Sequence, residues 1–216
     1  MSQTPGPRRR LADLSGTDPN RLSGISDGIF AVGMTLLVLG LVVPTFKSPP
    51  TESELWNGLV SLAPHALVYA MSFMTLGIFW LGQGTQLSRL ARSNRHYQWI
   101  QLVFLFSVTL VPFSTALLGN FYWLKVALIL YWLNILLLGA ALLSALEYGL
   151  RAGLFREEGR TEMAQLMRGR ILIAQALYAV ATALCLFLPT WVSIGVIVAI
   201  QLNYALAPRI PFLYRF

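Results

Sequence analysis

Arg21-Leu-Ser-Gly-Ile-Ser-Asp-Gly28 runs without a break into the apolar stretch Ile29 to Phe46, so an arginine and an aspartate stand at the start of a bilayer-length helix. A carboxylate in hydrocarbon costs roughly 2.5–3.5 kcal/mol on insertion scales, which makes Asp27 a structural or functional anchor with partners on other helices. A plainer alternative is that Ser26 and Asp27, both good N-cap residues, merely start the helix. Between Arg21 and Lys47 the only charge is Asp27, which places the first span at about residues 24–45.

The rest of the chain repeats that pattern of charge clusters and long uncharged runs. Charged residues make up 12% of the 216, about half the share of a soluble domain, and this marks an all-α, multi-pass membrane protein. Residues 55–88 carry no charge over 34 positions, more than the ~20 that cross hydrocarbon. Pro64 offers a kink, but no turn cluster divides the middle, and the run reads as one long second helix. Further spans follow at about 97–118, with Pro112 inside, and 122–145, before Glu147. Arg151 to Arg170 reads as a charged connector. Ile171 to Ala207 gives 37 uncharged residues, which Pro189-Thr190 divides into spans at about 171–188 and 190–207. Six transmembrane helices result, forming one domain over residues 21–208. A polar tail, 1–20, reads as disordered and too polar for a signal peptide, and 209–216 is a short second tail.

The arginines set the orientation. With the N-terminus in the cytoplasm, the inner side holds Arg8, Arg9, Arg10, Arg21, Arg89, Arg92, Arg95, Arg151, Arg156, Arg160, Arg168, Arg170, Arg209 and Arg215. Only Lys47 and Lys125 remain outside, so the positive-inside rule puts both termini in the cytoplasm. The net charge of +7 is thereby a topological feature and calls for no nucleic-acid partner. Cys185, alone in an apolar run, reads as a small buried hydrophobe. No metal-ligand spacing, phosphate loop or catalytic constellation stands out, so neither an enzyme nor a cofactor is expected. His65 reads as a hydrogen-bonded interface residue and His96 as solvated. Trp56, Trp99, Tyr122, Trp123 and Trp191 read as interfacial belts, and Glu147 is placed to pair with Arg151 at i,i+4.

On a helical wheel, Ile25, Gly28, Val32, Thr35, Leu36, Leu39 and Val43 fall within about 100° of one another, one stripe along the first span. Asp27 lies about 140° from Val32, so the helix presents a polar face and a separate stripe. Gly24 and Gly28 form a small-xxx-small pair that permits close approach of a neighbour.

The opening Arg21-Leu-Ser-Gly-Ile25-Ser26-Asp27-Gly28 resembles the first-helix signature of the endolysosomal potassium channel family called transmembrane protein 175, in its bacterial branch with one six-helix repeat per subunit. Ile25 stands where the family has an aromatic. Ser72-Phe73, Trp80 and Pro112-Phe113 add to the resemblance, which covers about residues 20–207. It implies a homotetramer in the cell (plasma) membrane whose first helices line a central pore for potassium ions. The constriction then falls on Val32, Thr35, Leu39 and the neighbouring Leu36, the stripe found on the wheel. It also implies a polar network of Arg21, Ser26, Asp27, Trp80, Gln83 and Gln101. Gln83 replaces the family's histidine and Gln101 its asparagine; glutamine can donate and accept as they do, but one titratable member is lost.

No Thr-Val-Gly-Tyr-Gly stretch occurs, so selectivity by apolar rings, modestly favouring potassium over sodium, is the expected mechanism rather than a carbonyl filter. The alternative is a proton-coupled secondary transporter with Asp27 as carrier. That class would want inverted repeats and polar residues at the midplane. No convincing repeat is visible, and the first span is apolar there apart from Thr35.

Overall fold

The computed structural model describes residues 19–206; the expectations for the two tails fall largely on 1–18 and 207–216, outside that range. Apart from one isolated bridge, the described residues are organised as helices joined by turns and short irregular stretches. Helix α1, Pro19–Leu37, ends in a 3-10 turn, Val38–Gly40. It starts earlier and stops sooner than the expected 24–45. Residues 41–50 leave the helical path because Pro44 has no N–H to continue the ladder and biases Val43 away from helical geometry. Ser26 and Asp27 therefore lie two turns inside α1, which overturns their reading as N-cap residues.

The expected single second helix is also corrected. It is divided at Leu62 into α2, Glu52–Ser61, and α3, Ala63–Ser88, with Pro64 in the first turn of α3. Pro64 lacks the N–H that would bond the Val60 carbonyl, which Leu62 N–H takes instead. Pro112 does the same at Leu110, dividing the third stretch into α4, Arg95–Thr109, and α5, Val111–Asn120. Asn94 caps α4, its side-chain oxygen accepting from Tyr97 N–H at 2.9 Å. Helix α6 is Lys125–Arg151, α7 is Arg160–Ala183 with a closing 3-10 turn, and α8 is Thr190–Leu206.

The segment expected as a connector up to Arg170 is thus helical from Arg160 onward. Two ion pairs anchor it: Arg160 with Glu157 at 2.9 Å, and Arg168 with Glu147 at 2.6 Å. Glu147 therefore pairs with Arg168 across helices, in place of the expected Arg151. Among the described residues five stretches are long and apolar enough to cross a bilayer: Pro19–Gly40, Ala63–Ser88, Arg95–Asn120, Lys125–Arg151 and Arg160–Leu186. Helix α8 has 17 residues, about 26 Å of rise.

Helix α6 threads three stacked apolar layers. At one end Leu128, Tyr131 and Ile135 meet Met71, Tyr178 and Ile197. In the middle Leu138 and Leu142 meet Phe30, Leu76 and Phe104. At the other end Leu146 meets Leu22, Tyr97 and Phe155. Lipid is as apolar as these side chains, so close packing and hydrogen bonds, rather than hydrophobic transfer, hold such layers together. Gly139 shows the packing at its closest: a side chain there would overlap Gln175, whose Nε2 donates to the Ile135 carbonyl at 3.3 Å. Buried hydroxyls tie four helices: Thr115 donates to Ser72 at 2.7 Å, Ser72 to Tyr131 at 3.2 Å, and Gln201 to Thr75 at 2.6 Å.

Candidate pore stripe and polar network

Helix α1 packs on α3, α4 and α5 along one face only. Leu22, Ser26, Phe30, Gly33 and Leu37 recur every three or four residues on that face and are buried. Ile25, Val32, Thr35, Leu36 and Leu39 lie on the opposite side, all exposed; Val32 is 57% and Leu39 71% accessible within the subunit. Nothing in the subunit approaches Gly24 or Gly28 within 4 Å of where a side chain would begin. A groove of about 400 Å³ runs along this side, lined by Gly28, Val32 and Leu36 of α1 and by Thr109 and Pro112 at the α4–α5 break.

Two details refine the stripe. Leu39 belongs to the 3-10 turn, which rotates about 120° per residue instead of 100°, and Val43 lies beyond the helix, so the stripe ends at Leu39. The Thr35 hydroxyl donates to the Val32 carbonyl at 2.9 Å. Its proton is spent on the backbone, and its oxygen is left to face outward as an acceptor.

The polar residues singled out in the sequence come together as two separate groups. Ser26 donates to Gln83 Oε1, Gln83 Nε2 donates to Gln101 Oε1 at 2.8 Å, and Gln101 Nε2 donates to the Tyr97 hydroxyl at 3.1 Å. This chain joins α1, α3 and α4 in the interior, and Gln101 is wholly buried. Apart from it, Trp80 Nε1 donates to Asp27 Oδ1 at 2.8 Å on an exposed edge. Arg21 does not join either group: it is exposed, and the ion pairs among the described residues involve Glu157 and Glu147. Tyr97 was missed by the sequence reading, although its place four residues before Gln101 puts both on one face of α4. Thr109 and Pro112 were not connected to the stripe because the bend that brings them beside it is a tertiary feature.

The stripe and the network fall within the part of the chain that a family model matches. The family model described as endosomal/lysosomal potassium channel TMEM175 matches residues 21–112. A potassium channel of Chamaesiphon minutus is 31% identical over 196 residues, 88% of this chain and 95% of that relative. The chain belongs to the TMEM175 family. A potassium channel of Streptomyces collinus is 34% identical over 104 residues, 48% of this chain and 49% of that relative, so this alignment spans about half of each. The crystal structure of a lysosomal potassium-selective channel TMEM175 homolog from Chamaesiphon minutus matches with a TM-score of 0.75 at 27% identity, covering 88% of this chain and 97% of that one. TMEM175 is a channel family and not a family of enzymes. With its apolar helices, this chain is a membrane-embedded TMEM175 protein.

Proposed function

We propose that the chain forms a potassium channel in the plasma membrane, a homotetramer of six-helix subunits with cytoplasmic termini and the α1 stripe facing a central pore. The observation that carries this reading is the exposed stripe Val32, Thr35, Leu36 and Leu39 on the helix that opens the family match. A single subunit offers no continuous hydrophilic path, so conduction needs several copies of α1 around an axis, and closed cyclic symmetry is the common solution. The shorter α8 supplies the sixth crossing, at the lower end of the ~17–25 residues that suffice.

Apolar rings of Val32 and Leu39 would make an ion shed part of its water, and potassium holds that water less tightly than sodium. Modest selectivity follows without a carbonyl filter. Between the rings, four Thr35 oxygens acting as acceptors would compensate part of the dehydration. The buried Ser26–Gln83–Gln101–Tyr97 chain fixes the rotation of α1, so that the stripe faces the axis.

The test is a reversal potential under bi-ionic potassium and sodium conditions in planar bilayers, with crosslinking in detergent for the assembly. An uncoupled current favouring potassium and a four-subunit crosslinked species are expected. Crosslinking that yields only monomer, or saturable flux requiring a proton gradient, would return the Asp27 transporter reading to the front.

A further inference from the structure

Two turns at one end of the bundle are zipped together through their backbones. Ala91 N–H donates to the Leu154 carbonyl at 2.8 Å and Arg156 N–H to the Arg89 carbonyl at 3.0 Å. Leu90 and Phe155 thereby form an antiparallel bridge. Both are buried, with Phe155 edge-on to Tyr97 at 6.5 Å between ring centres. The ring fits because residue 149 is glycine: a Cβ there would come within 2.5 Å of it.

The register of this bridge sets Arg89 directly opposite Arg156. Like charges carried on backbones held this close repel. Arg92, whose N–H also reaches the Leu154 carbonyl at 3.3 Å, stands beside them. All three side chains are exposed, and none has a carboxylate partner among the described residues. Glu157 follows Arg156 but is held by Arg160; Glu158 is exposed and makes no ion pair among the described residues. A buried apolar clasp thus fixes the backbones of three exposed arginines beside one another, none of them in an ion pair among the described residues.

We propose that Arg89, Arg92 and Arg156 bind the phosphate of an anionic phospholipid headgroup. Guanidinium forks match phosphate oxygens in paired hydrogen bonds, and Arg89 immediately follows α3, a helix long and apolar enough to cross a bilayer, so a headgroup would meet it at the end of that span. That the headgroup belongs to the inner leaflet rests on the topology proposed above.

The purified channel in detergent is titrated with phosphatidylglycerol or phosphatidylcholine of the same chains, and bound lipid is read by native mass spectrometry. Wild type should retain phosphatidylglycerol preferentially. The Arg89→Gln/Arg156→Gln double variant keeps the backbone clasp and should bind it about 30-fold more weakly, at about 1 kcal/mol per arginine and tenfold per 1.4 kcal/mol. The Lys47→Gln/Lys125→Gln variant loses the same charge elsewhere and should bind as wild type. Equal binding by the arginine variant, or an equal loss in the lysine variant, overturns the site. Displacement of the lipid by equimolar inorganic phosphate would assign the arginines to a free anion and overturn the lipid reading. Lipid retention in detergent does not depend on which side faces the cytoplasm, whereas labelling Ser88→Cys with an impermeant thiol reagent tests the topology separately.

Discussion

Replacing Gln83 with leucine removes the central link between α1, α3 and α4 while nearly keeping its volume. Two partners are stranded: the Ser26 hydroxyl, which donates to Gln83, and Gln101 Oε1, which accepts from it. Ser26 and Gln101 are 2% and 0% exposed, so water cannot substitute for the lost partner. An orphaned buried polar group costs about 1–3 kcal/mol, whereas interhelical hydrogen bonds in membranes average only ~0.6 kcal/mol because the unfolded chain in lipid also finds partners. Burial favours the first figure and the bilayer the second, so about 2–4 kcal/mol for the pair is the expected loss. For a chain of this size that is a fall of roughly 4–16 °C in melting temperature.

The assay is thermal unfolding of the purified protein in detergent, followed by tryptophan fluorescence and by loss of the assembled species. Gln83→His should recover most of the loss, since imidazole both donates and accepts. A Gln83→Leu protein that melts within about 1 °C of wild type would refute the reasoning, because the chain would then be a passive contact and not what fixes α1. Trp80→Phe provides the scale: it deletes one hydrogen bond to an exposed Asp27 and should cost no more than about 1 kcal/mol.

Leu39→Ala and Val32→Ala should raise conductance and lower the potassium-to-sodium permeability ratio in bi-ionic recordings, with Val38→Ala as the off-stripe control. Thr35→Val keeps the volume and removes the acceptor oxygen, so it should lower the ratio without raising conductance as the bulk deletions do. Leu37→Ala, on the buried face, should cost about 2–5 kcal/mol of stability, while Leu39→Ala should leave the melting temperature nearly unchanged. Gly139→Ala should lower it by displacing Gln175 from the Ile135 carbonyl.

What was legible in the sequence and what was not follow from how each feature is encoded. The membrane class and the two faces of α1 are written in side-chain chemistry along one helix, where charge spacing and a 100° rotation are enough to read them. The pairing of Ser26 with Gln83 and of Trp80 with Asp27 joins residues 57 and 53 positions apart, and no periodicity carries that. It was approached through a resemblance, and the residues grouped there divide into a buried chain and an exposed pair, with Arg21 in neither. The breaks at Leu62 and Leu110 were within reach, since Pro64 and Pro112 each remove a backbone donor. Each proline sits inside a long uncharged run, 34 residues in the case of Pro64, and such a run looks uniform to a hydropathy reading. The clasp between Arg89–Arg92 and Leu154–Arg156 was beyond it for a different reason. Its bonds are between backbone groups, which every residue carries, and only the room left by Gly149 for Phe155 marks the place. Arginines that the positive-inside rule treats as an undifferentiated excess are in this way sorted by the fold. Arg160 and Arg168 are neutralised within the subunit, while Arg89, Arg92 and Arg156 are brought onto adjoining backbone turns with no ion pair among the described residues.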